Sequence, residues 1–166
     1  MIKYLLTGTF DPLTAGHVDL LLRSSRLCDV VCIAIMENTE KKNMFSVDKR
    51  LQLWKTVIAD LCSQGDLKPD RVELVHSSGL VVDVVRELNI TAIVRGVRNS
   101  VDFAYENQMA EVNRSQLLGC ETIFLAPRPD KQHISSSIVR ELILRGGDYR
   151  AYVPEVICDL LSDRED

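Results

Sequence analysis

The sequence feature that most constrains the fold is a nearly unbroken apolar run, Val30–Met36, with the sequence VVCIAIM. A strand that is apolar at almost every position has both faces covered, which is typical of a parallel sheet between two layers of helices. Four further short apolar segments, residues 2–6, 72–76, 91–94 and 122–126, also predict strands. The sequence therefore predicts a parallel sheet of five strands.

Helices are predicted between and after these strands, because apolar residues recur there at helical spacing. The predicted helices cover residues 15–26, 47–61, 101–118, 135–144 and 153–161. Residues 80–88 are ambiguous, because VVDVV favours a strand by propensity whereas the alternation of elements favours a helix. The alternation implies an α/β fold with a doubly wound sheet and helices on both faces. We expect residues 1–166 to form one such domain, with Trp54 in its core.

Charge and cysteine content argue against several classes of function. The chain of 166 residues has 20 Lys and Arg against 24 Asp and Glu, a formal net charge of −4. Such a chain repels nucleic acids and anionic membranes, so neither is an expected partner, and local basic residues must hold any anionic substrate. No apolar run reaches the ~18 residues that cross a bilayer, and the N-terminus lacks a signal-peptide pattern. The five scattered cysteines suit reduced thiols in the cytoplasm, and no metal site built from protein ligands is expected.

Ligand-binding residues are expected in the loops that follow the carboxyl ends of the strands. After the first strand, Gly8 allows the backbone to approach a ligand, Thr9 offers a hydroxyl, and Gly16-His17 falls in the first turn of a helix. Unpaired N–H groups and the helix dipole favour phosphate there, and His17 can donate to a phosphate oxygen. Basic residues and the serines 135–137 follow the later strands. These loops predict an anion-binding site.

Several of these side chains also have purely structural interpretations. His17 could cap its helix, Arg95 could form a structural ion pair, and Glu106 could face solvent. The serines 135–137 could be helix N-caps. Asp11 is expected to order its own turn rather than to bind metal. The sequence contains neither a Walker loop nor a GxGxxG pattern.

A set of ordered motifs resembles one enzyme family. GTFDPLTAGH at residues 8–17 is similar to the (H/T)xGH signature of the nucleotidyltransferase superfamily, and Thr14 gives it the TxGH form of bacterial phosphopantetheine adenylyltransferases. Further segments resemble motifs of that family in the same order, namely KKNMF at 41–45, RGVR at 95–98, DFAYE at 102–106, NR at 113–114 and ISSS at 134–137. The resemblance covers nearly the whole chain and implies a Rossmann-like nucleotidyltransferase fold.

The resemblance also implies a reaction. ATP and 4′-phosphopantetheine would give dephospho-coenzyme A and pyrophosphate with Mg²⁺, a late step of coenzyme A biosynthesis. The acceptor phosphate would attack the α-phosphorus directly and in line. A phosphate dianion is already a nucleophile, so the protein must supply positioning and charge stabilisation rather than a base. A homohexamer and feedback inhibition by coenzyme A are further implications of the family.

Residue roles follow from the resemblance at matching positions. His17, Lys41 and Arg95 would be catalytic: His17 would stabilise charge on the α-phosphate, and Lys41 would hold the reacting phosphates with Thr9. Arg95 would bind the phosphopantetheine phosphate, and Val81 would line the channel for its arm. The implied ATP-binding set is Thr9, Phe10, His17, Gly96, Val97, Arg98, Glu106, Lys131, Gln132, His133, Ile134, Ser135, Ser136 and Ser137.

Two departures from the family pattern are visible. Thr7 stands where the family has proline, and we expect it to hold the same extended backbone. Lys131-Gln132-His133 stands where the family usually has aromatic residues beside adenine, and His133 could stack in their place. Two other functions stay open on the sequence alone. They are transfer to a different acceptor, such as nicotinate mononucleotide or glycerol phosphate, and a non-catalytic nucleotide- or coenzyme-A-binding role.

Overall fold

A computed structural model describes residues 1–37, 42–117 and 119–162 of the chain. Its strands are β1 (Lys3–Gly8), β2 (Val30–Met36), β3 (Val72–Ser77), β4 (Ala92–Gly96) and β5 (Glu121–Leu125). All neighbouring pairs are parallel, and the strand order is β3-β2-β1-β4-β5. The predicted five-stranded parallel sheet is confirmed. The chain order reverses between β1 and β4, which is where doubly wound sheets bind ligands.

Five α-helices accompany the sheet: α1 (Ala15–Ser24), α2 (Val47–Ser63), α3 (Val81–Leu88), α4 (Ser100–Gln116) and α5 (Ser136–Arg145). The ambiguous segment 80–88 is helical, because Val82, Val84 and Val85 pack into the core on one side of the sheet. Strand β1 extends two residues beyond the predicted end at residue 6. Thr7 and Gly8 are therefore strand residues, in register with Ala34 and Ile35 of β2.

The core lies on both faces of the sheet, as the apolar β2 sequence predicts. Val31, Ile33 and Ile35 point to the face covered by α1, α2 and α5, where Trp54 is fully buried as expected. Cys32 and its alternating neighbours point to the opposite face, against α3. Helices on both faces of the sheet are thereby confirmed. No helix in the described ranges is long and apolar enough to cross a membrane.

The predicted C-terminal helix over residues 153–161 is wrong. The segment forms three short 3₁₀ turns at Arg150–Tyr152, Glu155–Ile157 and Asp159–Leu161. Pro154 is extended, with ψ 137°, and starts only a single turn. Ile157 and Leu161 are fully buried in the cluster that includes α2, so the spacing of apolar residues reflects burial of a folded-back tail rather than a continuous helix.

Candidate active site

A cleft opens beyond the carboxyl ends of β1 and β4 and has two lobes. The first lobe is lined by α1, α5 and the loops after β4 and β5, and includes His17, Arg98 and Lys131. The second lobe lies toward α3 and α4. Both lobes share one wall, which we call the junction; it consists of Thr7, Gly8, Thr9, Arg95 and Glu106. Two molecules bound in the two lobes would meet at the junction.

His17 sits in the first turn of α1 with one ring nitrogen already used. The Thr14 N–H donates to its Nδ1 at 3.0 Å, which leaves the proton on Nε2. Desolvation, followed by the positive charges of Arg95 and Arg98, lowers the pKa of His17 from 6.5 to about 4. The ring is therefore neutral at pH 7, and its Nε2–H can donate. The capping and phosphate-binding interpretations of His17 are compatible, because they use different nitrogens.

Phe10 shapes the loop between β1 and α1. Its φ of 48° lies in the left-handed region, which is costly for a bulky side chain. Its ring is buried edge-on against Trp54 and His17, with centroids 5.1 and 5.0 Å apart. A Cβ added at Gly8 would lie 3.3 Å from this ring. Gly8 thus makes room for Phe10, and Phe10 lines the first lobe while its ring supports His17 from the core side.

Arg95 at the end of β4 is held from two sides. Its Nε and Nη2 both donate to the Glu106 carboxylate at 2.7 Å. Its Nη1 donates to the Thr7 carbonyl at 2.7 Å and to Thr7 Oγ1 at 2.8 Å. The ion-pair interpretation of Arg95 is correct, yet the pair lies within the junction. Glu106 points inward rather than to solvent and spends both oxygens on Arg95.

The loops after β4 and β5 carry the remaining first-lobe cations. Arg98 pairs with Asp102 at 2.8 Å, and Lys131 pairs with Asp130 at 3.2 Å. Gly96 lines the lobe, whereas the Val97 N–H donates to the Leu125 carbonyl. In the described wall of this lobe, Lys131 and Ile134 are present and Gln132 and His133 are not. Gln132 donates to the Arg98 carbonyl, and the His133 ring packs edge-on against Tyr152.

The serines at the start of α5 line the first lobe, and their side chains form hydrogen bonds within the protein. Ser135 is the N-cap and accepts from the Ile138 N–H at 3.2 Å. Ser136 donates to the Pro12 carbonyl at 2.8 Å, and Ser137 accepts from Arg140. The N-cap interpretation is thus correct for Ser135. The first-turn N–H groups of a helix lack intrahelical partners and remain suited to phosphate.

The second lobe has several apolar side chains in its wall. Leu80, Val81, Met36 and Met109 line it, together with the amide of Asn113. Glu37 also lines this lobe, and its Oε1 lies 2.6 Å from His76 Nε2. Val81, the first residue of α3 and predicted from the sequence to line an arm-binding channel, lies in the wall of this lobe. Such a wall suits an extended chain of methylene and amide groups.

The cytidylyltransferase-like family matches residues 5–142. A phosphopantetheine adenylyltransferase of Frankia casuarinae is 41% identical over 157 residues, which are 95% of this chain and 94% of that protein. A phosphopantetheine adenylyltransferase of Pasteurella multocida is 40% identical over 163 residues, 98% of each chain. This chain belongs to the phosphopantetheine adenylyltransferase family.

A solved structure supports the fold assignment. The nicotinic acid mononucleotide adenylyltransferase of Plasmodium falciparum, complexed with NaAD, superposes with a TM-score of 0.68 over 96% of this chain and 94% of that chain. The two sequences are 15% identical, so the likeness concerns the fold alone. The predicted Rossmann-like nucleotidyltransferase fold is confirmed.

Two buried side chains that hold the loops of the cleft in place were not predicted from the sequence. The Asp11 carboxylate accepts from the Met44 and Phe45 N–H groups at 2.8 and 2.9 Å, so it orders the loop after β2. Arg50, which is 1% exposed, donates to the Thr9 carbonyl at 2.8 Å. The sequence did contain a signal for the role of Arg50, because a charged residue on the same face of α2 as the buried Trp54 is unusual. Lys41, predicted to be catalytic, lies outside the described residues.

Proposed function

We propose that this chain transfers the adenylyl group of ATP to 4′-phosphopantetheine, giving dephospho-coenzyme A and pyrophosphate. The observation that carries this proposal is the junction. There a lobe with hydrogen-bond donors and cations suited to phosphate meets a lobe whose wall includes apolar and amide groups. The identity of the curated relatives over nearly the whole chain supports the same reaction.

The first lobe is the proposed ATP site. The N-terminus of α5 and the side chains of Arg98 and Lys131 can hold the β- and γ-phosphates. His17 lines the same lobe as this helix end and Arg95, and its Nε2–H is proposed to donate to the α-phosphate. A donor that is fixed before the reaction stabilises the charge that builds up on phosphorus.

The reaction requires no proton to be removed by the protein. An oxygen of the acceptor phosphate forms a bond to the α-phosphorus while the bond from that phosphorus to the pyrophosphate oxygen breaks. Thr9 and Arg95 at the junction are proposed to place the attacking phosphate, and Lys41 would add a further cation. Positioning and charge stabilisation account for such a transfer.

Mg²⁺ is proposed to enter with the triphosphate rather than in a protein cage. The carboxylates that line the first lobe, Asp19 and Glu106, are already engaged by arginines. Asp19 pairs with Arg128 at 3.0 Å and with Arg23 at 3.3 Å. Mg²⁺ commonly keeps several waters and takes its other oxygens from substrate phosphates, so these residues fit Mg·ATP as the bound form.

The second lobe is the proposed site for the pantetheine arm. Leu80, Val81 and Met109 can contact its methyl and methylene groups, and the Asn113 amide can bond to its amide groups. Coenzyme A contains both a nucleotide and a pantetheine arm, so it could span both lobes. We therefore also propose that coenzyme A inhibits by competing for the cleft.

The assembly and location are proposed on separate grounds. Helix α4 exposes a stripe of apolar side chains, Val101, Tyr105, Met109 and Val112, of which Tyr105 and Met109 also line the second lobe. A contiguous apolar surface on a helix marks an interaction site, which supports self-association, with the hexamer taken from the family resemblance. All five cysteines are free, which supports action in the reducing cytoplasm.

The test is pyrophosphate release from Mg·ATP with either 4′-phosphopantetheine or nicotinate mononucleotide as acceptor. We expect pyrophosphate release only when 4′-phosphopantetheine is the acceptor, with dephospho-coenzyme A as the product. Release with nicotinate mononucleotide instead would assign a different acceptor. Coenzyme A binding without release from either acceptor would point to a non-catalytic protein and overturn the proposal.

A further inference from the structure

Thr7 and Arg95 lie side by side at the ends of neighbouring strands. The register of β1 and β4 pairs Leu6 with Val94, so the next residues along each strand are Thr7 and Arg95. In this register their side chains share one face of the sheet, the face on which Glu106 approaches from α4. Thr7 also lines both lobes, so its hydroxyl is located in the junction itself.

The hydrogen bonds of Arg95 divide into two groups. A guanidinium has five N–H donors. The Glu106 carboxylate accepts hydrogen bonds from Nε and Nη2. The carbonyl and Oγ1 of Thr7 both accept from Nη1. The Nη2 nitrogen contacts Glu106 through one N–H and retains a second for a ligand. The orientation of that remaining donor depends on all four contacts.

The two anchors of Arg95 differ in rigidity. Glu106 belongs to α4, in which Ala110 is the buried residue. Thr7 belongs to β1, the central strand, which is paired on both sides. A helix with little buried surface can shift more readily than a central strand. The contacts with Thr7 therefore hold the guanidinium in a fixed position relative to the rigid sheet, whereas the contacts with Glu106 can move with the helix.

We propose that the Thr7 hydroxyl is a positioning residue that fixes the Arg95 guanidinium to receive the acceptor phosphate. The inference rests on the proposed function for the identity of that phosphate. Proline, the residue typical of the family here, would provide the carbonyl but no hydroxyl. Thr7 thus adds to this chain a neutral anchor that holds Arg95 without cancelling its charge.

The kinetic test compares Thr7→Val, Thr7→Ser and Thr91→Val. Valine keeps the β-branched shape and the carbonyl, and serine keeps the hydroxyl. Thr91 Oγ1 accepts a hydrogen bond from the Lys3 N–H at the opposite end of the sheet, so Thr91→Val is a matched control. We expect Thr7→Val to lower kcat/KM for 4′-phosphopantetheine about tenfold, with the KM for ATP within about twofold of wild type. Thr7→Ser and Thr91→Val should both stay near wild type.

A spectroscopic test does not depend on turnover. Isotope-labelled guanidinium signals of Arg95, assigned by their loss in Arg95→Lys, report how fast the group rotates. We expect slow rotation in wild type and Thr7→Ser, and faster rotation in Thr7→Val.

The outcomes separate the two proposals. Unchanged rotation in Thr7→Val would overturn the positioning role, as would equal kinetic losses in Thr7→Val and Thr7→Ser. An equal loss toward both substrates would also overturn it, because it would indicate a general structural defect. If wild type released no pyrophosphate with 4′-phosphopantetheine, the proposed function would fail, and the rotation measurement would still decide whether Thr7 fixes Arg95.

Discussion

Protonation of His17 should make the fold less stable as the pH falls below neutrality. Burial and the charges of Arg95 and Arg98 lower its pKa from 6.5 to about 4 in the folded protein. The unfolded chain therefore takes up this proton first. The stabilising contribution of the neutral ring is fully present above pH 6.5 and is lost as the pH falls through 6.5 toward about 4.

The size of the effect follows from the two pKa values. Between them the free energy of unfolding falls by about 1.4 kcal/mol per pH unit, so the loss at pH 5 is at most about 2 kcal/mol. His17 lines the cleft and is half-buried, so solvent reduces this figure. We expect a loss of about 1–2 kcal/mol at pH 5, or roughly 2–8 °C in Tm for a domain of this size.

The assay is urea unfolding of wild type and His17→Gln at pH 7.5 and pH 5. Glutamine at this position can still accept from the Thr14 N–H, as in a capping box, so the helix start is preserved without a titrating ring. Other titrating groups are common to both proteins and cancel in the comparison. Wild type should lose about 1–2 kcal/mol more than His17→Gln.

Proton NMR gives a direct check on the same reasoning. The His17 ring signal, assigned by its absence in His17→Gln, should titrate with a midpoint well below 6.5. A midpoint at or above 6.5, or equal loss of stability in the two proteins, would refute the argument that burial and neighbouring arginines keep this ring neutral.

Three other substitutions test separate parts of the structure. His17→Ala should lower kcat for pyrophosphate release by roughly 10²–10³, the usual effect of losing one charge-stabilising donor, and a folded variant with full activity would contradict its role. Glu106→Gln should reduce the free energy of unfolding by about 1–2 kcal/mol, because it leaves the partly buried Arg95 without its counter-charge. Unchanged urea unfolding would show that the pair contributes nothing. Trp54→Ala should lower the free energy of unfolding by about 3–5 kcal/mol, because it leaves a cavity in the core. The same urea assay measures this loss, and a loss below about 1 kcal/mol would mean that the core collapses around the gap.

The strands and helices could be predicted because their signals are local. The apolar run of β2 requires cover on both faces, and α2 shows its buried stripe directly in the spacing of its apolar residues. The location of the site also followed, since the loops after parallel strands meet at one edge of the sheet. The tail after Pro154 could not be predicted in this way, because its apolar spacing fits both a helix and a series of tight turns.

The contacts that orient the site could not be predicted, because they join distant parts of the chain. Thr7 and Arg95 are 88 residues apart, and the loop contact between Asp11 and Phe45 spans 34. Nothing in the local pattern around Thr7 distinguishes a ligand for arginine from an ordinary strand residue. The sequence suggested that His133 could stack on a base, and it gave no sign that this ring packs edge-on against Tyr152.

The ion pairs of the cleft are consistent with the proposed binding of ATP by a chain with a net negative charge. Arg95, Arg98 and Lys131 are each paired with a carboxylate, so the three cations can lie close together with little mutual repulsion. Pairing also removes much of the long-range field that a cluster of unpaired cations would present to nucleic acid. In the proposed ATP site, phosphate recognition would then depend on donors with fixed directions, namely the N–H groups at the start of α5 and the neutral His17 ring. A net negative charge is therefore compatible with the proposed phosphate-binding cleft, because the fixed directions of the donors would replace net charge as the source of selectivity.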